Sequence, residues 1–183
     1  MAHVDALPQI NRYITSHDPE GKAVFSSLIP SACSTTLLPS NDAAFTLGYT
    51  TKGFPVSLTD DNDITSYKSY LKDAPGLTIS DGTVLRYVDM SPGMLSPMHR
   101  TVSLDYGIVI EGEVELVLDS GETKLMKRGD VAVQRGTMHA WRNPSESQWA
   151  RMVFVLQACK PIEVVGGKLD EDLETMQGVR TSD

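Results

Sequence analysis

The sequence predicts an all-β protein, a sandwich or barrel of short antiparallel strands carrying short peripheral helices. Three observations predict it. From Thr83 onward, apolar residues recur at every second position in one run after another. Turns rich in glycine separate these runs at short intervals. The chain has 183 residues, 40% hydrophobic and 22% charged, which suits one folded domain with short terminal extensions.

Residues 1–40 read as an arm that packs on the barrel or supplies an edge strand. Pro8, Pro19, Pro30 and Pro39 interrupt any long element there, and a short helix is expected around Gln9 to Ser16. Residues 41–165 hold the barrel. Ala43 to Thr51 reads as a strand. Within Ser57 to Asp73, Asp61 or Asp63 is placed to cap a short helix whose Ile64, Tyr67 and Leu71 share one face. Strands then follow at Thr83–Met90, Leu104–Ile110, Glu113–Leu118, Thr123–Lys127, Asp130–Gln134, Met138–Trp141 and Trp149–Ala158. Glu111-Gly112 and Asp119-Ser120-Gly121 supply turns between them. Residues 166–183 read as a helical tail, because Leu169, Leu173 and Met176 fall at helical spacing and Gly178 would end the helix.

A net charge of −8 argues against nucleic acid as a partner, since the chain and the phosphate backbone repel. No basic run offers a foothold on an anionic membrane. The first 17 residues lack the basic start and apolar core of a secretory signal. No apolar run approaches the ~20 residues of a membrane helix. A cytoplasmic protein is expected. Cys33 and Cys159 form neither a CxxC pair nor a zinc spacing, so free, partly buried thiols are expected.

Two segments carry the candidate chemistry, Gly93 to Gly112 and Gly129 to Asn143. Each holds one of the four histidines, His99 and His139. In the first, Gly93 is followed by five residues and His99, then by Asp105, six residues and Gly112. The second sets out Gly129, Gly136, His139 and Asn143. This pattern resembles the paired motifs of the cupin superfamily across about residues 84–158. There are three departures: Thr101 stands where a second histidine is usual, Asp105 replaces a glutamate, and the stretch after Gly129 is one residue short, with Gln134 in place of proline. The longer string MHRTVSLDYG resembles a cupin subgroup of bacterial and fungal proteins, some from fungal secondary-metabolite clusters.

The resemblance implies a jelly-roll β-barrel whose mouth gathers His99, Asp105 and His139. Two neutral imidazoles and a carboxylate suit a divalent metal such as Fe, Zn, Mn or Ni. The replacement by Thr101 removes one family ligand, so a metal-free site is the alternative, with Asp105 and His139 as an acid–base pair. Thr101 and Trp141 are expected to face the pocket, and Met98 and Met152 to contribute to its wall, beside Met94 and Met138. Arg100 and Tyr106 are out of phase with the site and read as a rim ion pair and a packing residue. Asn143 and Gly136 serve turn geometry, and Glu111, Glu113 and Glu115 form a solvated rim.

The resulting expectation is an enzyme acting on an apolar, carbonyl-bearing small molecule, polyketide-derived compounds included, by decarboxylation, dehydration, isomerisation or cyclisation. A non-haem Fe(II) dioxygenase and a non-catalytic binding protein are the alternatives. A homodimer is expected by analogy, since exposed edge strands require cover.

Overall fold

The structure, a computed structural model, describes residues 7–40, 42–173 and 176–182. Its strands, in chain order, are β1 (Thr15–His17), β2 (Ala23–Phe25), β3 (Thr35–Leu37), β4 (Ala43–Lys52), β5 (Gly82–Met90), β6 (Ser103–Glu111) and β7 (Glu113–Leu118). After these come β8 (Thr123–Lys127), β9 (Val131–Arg135), β10 (His139–Arg142), β11 (Ala150–Ala158), β12 (Ile162–Val164) and β13 (Gly167–Leu169). One α-helix, α1, spans Asn62–Lys72 among the described residues.

Among the described residues the barrel is built from a large sheet in the order β3-β4-β5-β11-β6-β9 and a smaller one in the order β10-β7-β8. Every pairing is antiparallel, which leaves one face of each strand for the interior. On β5 the inward beat is Val84, Arg86, Val88 and Met90, and on β11 it includes Met152, Phe154 and Leu156. With Val109, Val114, Met126 and Trp141 these apolar side chains make one core cluster between the sheets. Gly112 links β6 to β7 at φ +73°, and a β-carbon there would stand 3.2 Å from that of Ala150, so both conformation and space oppose a side chain.

The strands expected from Ala43 onward form with small shifts at their ends. The helix over 9–16 does not. Asn11 bridges to Ala32, and the Arg12 amide donates to the Ser31 carbonyl, so the arm satisfies its backbone by pairing with itself as β-structure. The helix α1 forms, but Asp61 precedes it in a left-handed conformation and makes no capping hydrogen bond. Ile64 and Tyr67 are buried beside Ile29, whereas Leu71 is 44% exposed. Tyr67 donates to the Leu47 carbonyl and ties α1 to β4.

The tail also departs from expectation. Its described part begins with β13 and continues without helix through 173 and again over 176–182; residues 174 and 175, inside the expected helix, lie outside the described residues. The helical spacing is overridden by backbone pairing, because the amides of Arg100 and Asp172 each donate to the other's carbonyl. Arg100 makes no rim ion pair among the described residues; its Nε donates to the Asp170 carbonyl. Beyond this, Met176 and Val179 reach the core, and Ser182 bonds to Glu171 and to the Thr78 amide. A β-carbon on Gly76 would stand 2.3 Å from the Thr181 carbonyl oxygen. Gly76→Ala is therefore expected to displace residues 179–182, read as faster hydrogen exchange at the Thr78 amide. Unchanged protection there would contradict this packing.

No helix among the described residues is long and apolar enough to cross a membrane. Cys33 is buried and Cys159 half-buried, and neither forms a disulfide. Glu111, Glu113 and Glu115 form surface ion pairs with Arg128, Lys127 and Arg142.

Candidate active site

A cavity of about 330 Å³ lies between the sheets. Its walls are mainly apolar, with Phe45, Val88, Met90, Trp141, Phe154 and Leu156 prominent. His99, Thr101, Asp105 and His139 line the same cavity.

Backbone pairing fixes the two histidines. The His99 amide donates to the His139 carbonyl and the His139 amide to the His99 carbonyl, both at 2.9 Å. Residues directly opposite in this way project to the same face. Their rings lie 4.3 Å apart between centroids, inclined by 48°. Each Nδ1 contacts a backbone carbonyl two residues earlier, His99 to Pro97 and His139 to Thr137, each at 2.9 Å. A carbonyl oxygen only accepts, so each Nδ1 carries the proton and each Nε2 keeps its lone pair.

Burial sets the charge state. His139 is pushed down to about 3, chiefly by desolvation and then by the neighbouring His99. His99 is also lowered, again by desolvation. Asp105 moves the other way, raised to about 7 by burial against the opposing pull of the Ser103 and Thr101 hydroxyls. Its Oδ2 accepts from the Thr101 hydroxyl at 3.4 Å, and Thr101 accepts from Ser103 at 2.6 Å. Its Oδ1 is buried without a hydrogen-bond partner.

These shifts carry a pH signature. The Asp105 contribution to stability is fully present below the unfolded value of 3.8 and is lost as pH rises through about 7. The His139 contribution has the opposite sense: present above 6.5, it is lost as pH falls through about 3. Asp105→Asn removes only the first. Between pH 5 and pH 8 the variant should gain about 2 kcal/mol on the wild type. Urea unfolding at the two pH values checks this, and a gap independent of pH would refute the buried charge.

Among the described residues, no group of three His, Cys, Asp or Glu side chains is placed to hold one ion. Asp105 is one methylene shorter than the family glutamate, and Thr101 engages its carboxylate. The imidazole pair remains a two-nitrogen face.

Thr101 and Trp141 line the cavity, with Trp141 set edge-on to His139 at 5.5 Å. The methionine expectation is corrected. Met98 follows the alternation away from His99 and is 37% exposed. Met152 is fully buried in the core, while Phe154 and Leu156 from its strand face are the ones that reach the cavity. Met138 is also absent from the lining; Met94 is part of it, and Met90 and Met176 supply the other thioethers. Asn143 is structural, its amide donating to the Met90, Ser91 and Gln148 carbonyls. The residue missed by sequence reasoning is Arg86. The signal was present, since Arg86 occupies the inward beat of an otherwise apolar strand face.

A family model described as a cupin domain matches residues 86–156. Phomopsin biosynthesis cluster protein C' of Diaporthe leptostromiformis is 53% identical over 156 residues, spanning 85% of this chain and 82% of that protein. The cupin-domain-containing oxidoreductase fogC of Aspergillus ruber is 41% identical over 175 residues, spanning 94% and 84%. A solved cupin-2 domain from Rhodospirillum rubrum covers 72% of this chain and 75% of its own, at 13% identity and a TM-score of 0.47.

Proposed function

The chain belongs to the cupin superfamily, and on that premise we propose that it is an enzyme of fungal-type secondary metabolism that moves protons on an apolar, carbonyl-bearing small molecule. The observation that carries this reading is the imidazole pair. Both rings are held by their Nδ1–H groups, and both leave an Nε2 lone pair in a mainly apolar cavity. The relatives from biosynthesis clusters supply the metabolic context.

His139 would accept a proton from a carbon next to the substrate carbonyl at Nε2. Its surroundings disfavour the imidazolium, but an enolate oxygen developing nearby reverses that by direct attraction. Asp105, neutral over part of the physiological range, would donate a hydrogen bond to that oxygen. Return of the proton to another carbon gives isomerisation. Its delivery to a departing hydroxyl, released as water, gives dehydration. Trp141 and Phe154 would orient an aromatic or branched body against the rings.

A second reading, an oxidoreductase, is favoured by the printed names of relatives at 41% and 44% identity. A cofactor-bearing form would have the two Nε2 atoms of His99 and His139 as its protein donors. Two measurements separate the readings. Proton transfer predicts deuterium uptake from solvent into the α-carbon of 4-oxo-4-phenylbutanoate, with no metal recovered on elemental analysis of protein purified without chelator. Near-stoichiometric iron together with no deuterium uptake would overturn it in favour of the second.

A further inference from the structure

The same sheet holds two buried arginines with contrasting surroundings. Arg151 forms a buried ion pair with Asp89, its direct neighbour across β5 and β11. Arg86 is as deeply buried, at 5% exposure, and no carboxylate among the described residues pairs with it. Its Nη2 donates to the Gly76 carbonyl at 2.9 Å and makes a longer contact of 3.4 Å with that of Pro75. Its guanidinium lies 5.1 Å from the Phe45 ring centre. Among the described residues no hydrogen bond is made by Nε or Nη1, and the residue lines the cavity that holds the histidines.

A buried guanidinium is costly to leave without a counter-charge. Burial lowers Arg86 only to about 10, so it stays charged at neutral pH. Two neutral carbonyls and one ring face fix its position without neutralising it. The acidic groups of the lining do not serve: among the described residues neither Asp105 nor Asp42 forms an ion pair with Arg86. A planar fork with free N–H groups matches a carboxylate.

We propose that Arg86 is the anion-recognition residue of this cavity and that the substrate carries a carboxylate at one end of an apolar, partly aromatic body. The wall supports that shape. Phe154 stands opposite Arg86 across β5 and β11, Trp141 packs edge-on against Phe154 at 5.4 Å, and His139 packs edge-on against Trp141. A molecule anchored at Arg86 would lay its apolar body along these rings and present its far end to the imidazoles. The inference names a substrate class for the site proposed above and rests on that site being where the ligand binds.

The test is a calorimetric titration with 4-phenylbutanoate and its neutral isostere 4-phenylbutanamide. The wild type should favour the carboxylate by about 10- to 100-fold, the range of a charge-assisted hydrogen bond. Arg86→Met should bring both probes to the same affinity, and Arg86→Lys should keep part of the preference. If Arg86→Met does not fold, the Arg86 Nε–H resonance of the wild type decides: it should shift with the carboxylate and not with the amide. His139→Ala should abolish deuterium uptake yet retain the carboxylate preference, which separates failure of the catalytic reading from failure of this one. Equal affinity of the wild type for the two probes, no measurable binding of the carboxylate, or a preference that survives in Arg86→Met overturns the proposal.

Discussion

Replacing His139 with glutamine is expected to lower α-proton exchange by about 10²–10⁴-fold, the usual contribution of a positioned general base. Glutamine fills similar space but offers no basic nitrogen at the Nε2 position. His139 is buried, its ring held by the Thr137 carbonyl and the edge of Trp141. The substitution should therefore leave binding of 4-phenylbutanoate within a few-fold of wild type while exchange falls. His99→Gln removes the neighbour that helps hold His139 neutral. It should lower exchange less than the His139 variant and shift the low-pH limb of the rate profile. Equal losses in binding and exchange for His139→Gln would make the ring structural rather than catalytic. Exchange is read by proton NMR in heavy water, binding by calorimetry.

Asp89→Asn is the largest stability loss expected from a single polar change. Asp89 and Arg151 are buried to 1% and 6% exposure, and both carboxylate oxygens accept from the guanidinium. Arg151 also donates to the Pro8 carbonyl at 2.7 Å, so the pair joins the barrel to the N-terminal arm. Neutralising one partner leaves a buried charge without compensation, at a cost of about 3–5 kcal/mol. Urea unfolding checks the magnitude, and hydrogen exchange over residues 8–12 should show the arm loosening first. A loss below 1 kcal/mol would mean that water reaches Arg151 and relieves it.

The strand pattern and the three motif side chains were legible because both follow simple rules. Alternation along a half-buried strand places His99 and Thr101 on one face, and His139 and Trp141 on another. The cross-strand bond between the histidines then brings the faces together. What the spacing does not encode is side-chain reach. The motif puts Asp105 in the cavity, but its bond to Thr101 depends on side-chain reach and not on spacing. The tail failed for a different reason. Leu169, Leu173 and Met176 lie at helical spacing, yet the backbone of Asp172 gains more by pairing with Arg100, and Arg180 anchors to Asp73. Arg86 was legible and overlooked: its beat is shared by Val84, Val88 and Met90, so its place on the inner face follows from period alone. Its lack of a counter-charge depends on distant segments and required the fold.

The central claim, two neutral imidazoles presenting Nε2 lone pairs to the cavity, is tested most directly by nitrogen-15 NMR of the histidine rings, with assignments taken from the His99 and His139 variants. Both should appear as the Nδ1–H tautomer, with His99 titrating below the ordinary histidine value and His139 uncharged throughout pH 8 to pH 6. Either ring found as the Nε2–H tautomer, or His139 titrating near 6.5, would contradict the account.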